Sequence, residues 1–400
     1  MKLQMLLVLA LFQAAGAAQP RYRVVDLAAG SGLDADPGYA FGVNDRGEVV
    51  GFVQMQSYAA HVFKYSLQSG MQDLVGPQWA VNTVGLCISA AGEIAGWAGY
   101  SAFRYNDAEG FVDLGRLGGG WAEANGINSL GEITGGAGID PDDTDSYPRA
   151  FVYRNGTIKA IPGLMDGDSM GYGINDQGEV TGGAAGWAFL YSESDGVSYL
   201  GAGRGRAINN HGAIAGYSVV NQFGQGMAFL WREGEMRLLG SLGGSDSEAF
   251  GLNESNVVVG ASLTRPLDGS YHSFIWTEAE GMQDLNALIA DEPGWYLENA
   301  YAINNHGQIV GSGGDGGFIW EKAILLQPIP PVMAVELSGT NIIVSWSPDW
   351  PGVVLESKNL LLGGNWQPYP TQGTNVVAVA AGEGSRVFRL NLEALHGLAF

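Results

Sequence analysis

The chain has 400 residues, 41 acidic side chains against 19 basic ones and a formal net charge of −22. Lys and Arg are too sparse to cluster against phosphate, which argues against nucleic acid and anionic membrane surfaces as partners. Sixty-three glycines without a three-residue period, and one cysteine, exclude collagen and a disulfide scaffold and point to many tight turns.

Residues 1–18, within the opening MKLQMLLVLALFQAAGAAQP, carry one Lys, a short apolar run and then small residues. This is the pattern of a secretory signal peptide, with cleavage expected after Ala17 or Ala18. No later run reaches the ~20 apolar residues of a membrane helix. The mature protein is therefore expected outside the cytoplasm, without membrane insertion and as a monomer. The lone thiol, Cys87, occupies an apolar place and reads as a small buried hydrophobe.

RYRVVDLAAG (21–30) resembles the last strand of a repeat with no three strands before it. From residue 40 the repeats themselves begin. AFGVNDRGEVVG (40–51) returns in related form at 85–96, 124–135, 171–182, 205–216, 249–260 and 300–311. Asn44 followed three residues later by Gly47 fits a type I turn ending in a left-handed bulge, a hairpin signature. Two copies depart from it, and both departures keep the turn. Asn256 replaces the Gly with the side chain that best tolerates positive φ, and Ser89 replaces the Asn with another short acceptor.

Between these turns an aromatic pair recurs two residues apart, from Phe63/Tyr65 through Phe229/Trp231 to Phe318/Trp320. Period-two spacing puts both rings on one strand face, as a core between sheets requires. Each repeat thus supplies four short strands, and repeats of roughly 40–45 residues with four strands are propeller blades. The expected fold is all-β, a seven-bladed β-propeller over residues 19–327. Either RYRVVDL or KAILLQ (322–327) would close its last blade. A Pro-rich linker (328–331) then leads to a small β-sandwich-like module (332–400), with Trp346, Trp366 and Phe388 as core anchors.

Motifs that carry chemistry are few. GDSMG (167–171) matches a nucleophile elbow around Ser169 but leads into a strand where the elbow needs a helix. GAGRGRA (201–207) lacks the helix and distal acid of a dinucleotide site. His61, His211, His272, His306 and His396 do not share metal-ligand spacing. The loop DPDDTDSY brings Asp140, Asp142, Asp143 and Asp145 into one connection, a weak Ca²⁺ candidate beside the stronger reading of a solvated loop. No other cofactor and no catalytic residue is assigned. Variable loops and inter-repeat links fall on the side opposite the stereotyped turns, where binding is usually placed. Trp79, Trp121, Trp295 and Tyr296 lie in those links and are the candidate ligand-binding residues, against the stronger reading of packing between blades.

MAFLWREGEMRLLGSLGGSDSEAFGLNESNVVVG (227–260) and SAFRYNDAEGFVDLGRLGGGWAEANGINSLGEITG (101–135) resemble the HAF-repeat extracellular proteins, over about three quarters of the chain. The His of that tripeptide survives only loosely, as His61 and His272. The resemblance implies an extracellular repeat protein and carries no reaction with it. The C-terminal stretch is similar to β-domains ending large secreted bacterial proteins. The function expected from these features is a secreted non-catalytic binding or surface-interaction module for a glycan or protein ligand. A secreted propeller hydrolase or lyase acting on polysaccharide is the alternative. Acids converging at the mouth of the central channel would favour the enzyme.

Overall fold

The repeated turns set where strands begin and end. The structure, a computed structural model, describes residues 21–391 except 30, 32–34, 56–58, 143–146, 222–223, 267–268, 290–293, 315–320, 331, 339–340, 348–353, 360–366, 369–375 and 381–385. The N-terminal apolar segment lies outside the described residues. Among those described there is no α-helix, and one 3-10 turn spans Leu285–Ala287. In the first repeat β1 (Tyr22–Asp26) stands apart, and β2 (Ala35–Val43), β3 (Val49–Met55), β4 (Ala60–Ser66) and β5 (Gly70–Asp73) pair antiparallel in chain order. The same order recurs in the repeats that follow. The strand Gly196–Ile208 serves two sheets, its first half pairing with Trp187–Ser192 and its second with Ile214–Val219.

The last repeat answers the question of closure in an unforeseen way. Tyr296–Ile303, Ile309–Gly314 and Lys322–Pro328 form its first three strands, and β1 adds antiparallel to Lys322–Pro328 as the fourth, Tyr22 opposite Pro328 and Asp26 opposite Ile324. The two segments that competed on sequence grounds therefore pair with each other. Ala323 to Leu326 are buried on both faces, so this strand suits an inner place in the sheet and not an edge. The expected aromatic strand at Phe318/Trp320 lies outside the described residues, and 322–328 takes the third place without an aromatic pair.

Phe63, Phe103, Phe151, Phe189, Phe229 and Phe274 are fully buried. The rings of Phe63, Phe189, Phe229 and Phe274 rest on a glycine of the neighbouring strand: a Cβ on Gly51 would lie 1.9 Å from the Tyr39 carbonyl oxygen and 2.9 Å from the Phe63 ring. The C-terminal residues form two three-stranded sheets, with Val344, Trp346 and Leu355 buried against Met333, Phe388 and Leu390. Trp366 lies outside the described residues.

The sheets are tied together through the turns. Asn44 Oδ1 accepts from the backbone N–H of Arg46 and Glu48, both at 3.0 Å, which shapes its own turn. Its Nδ2 donates to Glu48 at 2.7 Å and to the Ser89 carbonyl of the next repeat at 3.0 Å. The inter-repeat bond continues from Asn128 to Asn175, Asn175 to Asn209, Asn209 to Asn253 and Asn253 to Asn304. Asn304 then donates to the Asn44 carbonyl at 2.8 Å, bringing the circuit back to its start. The break is at Ser89, whose hydroxyl accepts from Glu93 and carries no amide to reach Asn128. Asn256 takes positive φ (59°), as its position requires, and also accepts from Asn209 Nδ2 at 3.0 Å.

Ser89→Asn should supply the missing bond and stabilise the protein by about 0.5–1.5 kcal/mol in urea unfolding. An unchanged midpoint would mean the circuit adds no stability at that joint. Tyr22 is buried among Leu285, Leu288 and Leu297. Tyr22→Ala should cost about 3–5 kcal/mol, as large aromatic truncations do, whereas Arg23→Ala, on the exposed side of β1, should change little.

Candidate functional site at the ends of the inner strands

The strands that run into the Asn turns lie nearest the axis of the circuit, so their side chains and ends decide what the axis offers. At the turn end a cavity of about 280 Å³ is lined by turn residues from all seven repeats. Its polar groups are spent on one another: Asn305 N–H donates to Asp45, Glu254 N–H to Asn305 and Asp176 N–H to Asn210, at 2.8–2.9 Å. That end is a structural hub.

Further from the turns the inner strands carry larger and more polar side chains. The residue three before the turn Asn is bulged out of its ladder at Phe41, Tyr172, Arg206, Phe250 and Tyr301. A bulge re-aims its side chain. These five form an arc of planar groups: Arg206 lies 4.5 Å from the Tyr172 ring centre and 5.8 Å from that of Phe250, Phe250 lies 5.5 Å from Tyr301, and Tyr301 lies 5.0 Å from Phe41. Beyond them Glu248 accepts from Arg204 and Arg206.

At one end of the arc two carboxyl groups meet. Glu298 comes from the inner strand Tyr296–Ile303, and Glu321 immediately precedes Lys322–Pro328, its carbonyl accepting from Gly38 N–H of β2 at 2.9 Å. Burial, a hydrogen bond to Glu321 and the Glu321 charge together hold the Glu298 carboxyl above its ordinary range. No Lys or Arg pairs with either acid among the described residues. Oε2 of Glu321 is buried and has no hydrogen bond while both groups are ionised. A proton kept on Glu298 relieves both the repulsion and the missing bond. Two tyrosines complete the cluster. Burial, then a hydrogen bond to Glu321, raises the Tyr39 hydroxyl, and burial with the Glu321 charge pushes Tyr301 up to about 12. Both remain proton donors at neutral pH. Glu123, in the third repeat's inner strand, is likewise raised by burial.

The residues expected from sequence fall elsewhere. Trp79 is exposed, Trp121 half-buried, and no ring contact joins the candidate tryptophans among the described residues. Trp295 packs against the core of the last repeats, with Lys322 Nζ 5.8 Å from its ring centre. Tyr296 donates to the Tyr271 carbonyl and meets the His272 ring edge-on at 5.1 Å. Asp142 N–H donates to Asp140, a local turn; Asp143 and Asp145 lie outside the described residues, and those described include no group of three or more metal-binding side chains. Ser169 is buried and accepts from Ala150 N–H, a packing role. The Cys87 thiol is pushed up to about 12 by burial. His61 with Asp73 and His272 with Asp284 form the same pair in two repeats, each joining a third strand to its fourth.

No protein-family model matches the sequence, and no curated protein does. Among solved structures the chain is similar to a puromycin hydrolase, with TM-score 0.45 and 10% identity over 82% of this chain and 61% of that one. It is also similar to the tricorn protease, with TM-score 0.36 and 10% identity over 88% of this chain and 39% of that one. The chain thus spans under two thirds of the length of either. Their titles name a hydrolase and a protease, and the expectation of a non-catalytic binding module is not carried further. In this chain two acids, Glu298 and Glu321, meet on the last repeat.

Because the folded state holds a proton on Glu298 above the ordinary value of 4.5, it binds more protons than the unfolded chain over that interval. Stability contributed by this site is therefore greatest at low pH and falls as pH rises from about 4.5 through the raised value. Glu298→Gln, which keeps a donor for Glu321 and cannot ionise, should match the parent near pH 4 and exceed it at pH 8 in urea midpoint. A constant difference across that range would show that Glu298 does not hold the proton.

Proposed function

We propose that the repeats form a seven-bladed β-propeller and that the protein is a secreted hydrolase acting on polysaccharide, with Glu298 and Glu321 as its acid–base pair. The observation that carries this reading is the contact between these two carboxyls beside the axis, with no Lys or Arg paired to either among the described residues. Burial and the neighbouring Glu321 keep the Glu298 carboxyl raised, which makes Glu298 the proton-bearing member. The two carboxyls do not flank the scissile bond at the roughly 5–9.5 Å of the two-carboxylate glycosidases. They act from one side. The protonated member gives its proton to the leaving oxygen while the ionised member takes one from water, whose oxygen forms the new bond. The glycosidic C–O bond breaks as the water oxygen bonds to the same carbon, and the proton taken from water passes back to Glu298 to restore the starting state. Tyr39, neutral, donates a hydrogen bond to Glu321 that keeps its carboxylate aligned, and Tyr301, also neutral, lies within reach of the Glu321 charge. The signal-peptide pattern and the HAF-repeat resemblance support an extracellular setting, where the substrate is a polymer met outside the cell.

The test is release of reducing ends from a panel of neutral and acidic polysaccharides by the mature protein, with peptide substrates alongside. Glu321→Gln and Glu298→Gln should each lower turnover by about 10²–10⁴-fold, the usual worth of a general acid or base, and the parent should show a bell-shaped pH profile. Undiminished cleavage by both variants would remove the pair from the reaction. Cleavage of peptides alone would overturn the substrate class.

A further inference from the structure

The inner strands of the fifth and sixth repeats hold a second cluster that the acid–base pair does not use. Arg204 is bound bidentately by Glu248, Nε to Oε1 at 3.0 Å and Nη2 to Oε2 at 3.1 Å. Arg206 donates from Nε to the same Oε1 at 2.7 Å. One carboxylate therefore serves two guanidinium groups, leaving an excess positive charge in a chain of net charge −22. The nearby Asp246 is engaged elsewhere, accepting from Gly226 N–H and the Tyr271 hydroxyl.

Arg206 is also held flat. Its guanidinium lies 4.5 Å from the Tyr172 ring centre and 5.8 Å from that of Phe250, and its side chain is 25% exposed. With Nε tied to Glu248, the two terminal nitrogens, Nη1 and Nη2, make no hydrogen bond among the described residues. A rigid, partly exposed guanidinium edge with both terminal nitrogens free matches the two oxygens of a carboxylate. The ordering entropy of the arginine has already been lost in the fold, so a ligand gains the full bidentate contact.

The arc gives the direction. From Arg206 it passes through Phe250 to Tyr301, whose hydroxyl feels the charges of Glu321 and Glu298. A sugar carrying its carboxylate at Arg206 would lay neighbouring rings on aromatic planes that lead to the acid pair. We propose that Arg206, braced by Glu248 and Tyr172, is a carboxylate subsite and that the substrate is a uronate-bearing glycan. This rests on the hydrolase reading above and extends it to a substrate class.

The experiment is calorimetric titration of the mature protein with a tetragalacturonate oligosaccharide, its methyl ester and a sulfated oligosaccharide of equal length. Arg206→Gln should weaken tetragalacturonate binding about 10–100-fold, the worth of a charge-assisted bidentate contact. Arg206→Lys, which keeps the charge without the fork, should fall between parent and Gln, and it serves as the second variant if the first does not fold. The methyl ester should bind the parent as weakly as tetragalacturonate binds the Gln variant. Equal binding of tetragalacturonate to parent and both variants, or preference for the ester or the sulfated chain, would overturn the proposal. Glu321→Gln separates the two readings. If it still cleaves while Arg206→Gln loses tetragalacturonate, the acid–base assignment falls and the subsite stands; if only neutral glycans bind and are cleaved, the reverse holds.

Discussion

The whole repeat region depends on one side chain used six times: an asparagine whose amide faces two ways. Its oxygen accepts two backbone N–H groups of its own turn, and its nitrogen donates onward to the carbonyl of the next. Aspartate could do the first and not the second; serine, at position 89, shows the same limit. Buried amides are costly unless every group is partnered, and here nearly every one is. The turn that folds a hairpin is thus also the joint that fixes the next sheet beside it. Local and tertiary structure are specified by the same atoms.

Such a circuit leaves a problem at its two ends, which are far apart in sequence. Asn304 donates to Asn44 on the inside, and β1 pairs with Lys322–Pro328 on the outside. The last sheet is therefore built from both ends of the repeat region. Without β1 that sheet would present an open edge. The closing strand has no sequence mark beyond its likeness to other fourth strands, because pairing between residues 22–26 and 324–328 is a purely long-range choice.

The candidate site is the part of the molecule where the repeat rule is relaxed. Where other inner strands place small or apolar residues, this chain has Glu123, Arg204, Arg206, Glu248 and Glu298. That departure could have been found by aligning the repeats and asking which positions become charged. What alignment could not supply is the meeting of Glu298 with Glu321. Glu298 stands on one strand of the last repeat and Glu321 just before another, and no Lys or Arg pairs with either among the described residues.

The sequence alone determined the all-β class, the four-strand repeat and its turns, because these rest on local chemistry: period-two alternation, an Asn that closes its own turn and a position that needs positive φ. It also marked the buried Phe of the first six aromatic strands and the core of the C-terminal sheets around Trp346. Only the tertiary structure decided which strand completes the last sheet and which acids face each other. The same holds for the tryptophans of the links, which share no ring contact among the described residues. Those outcomes depend on which distant residues become neighbours once the circuit closes, and a carboxyl takes its chemistry from its neighbours.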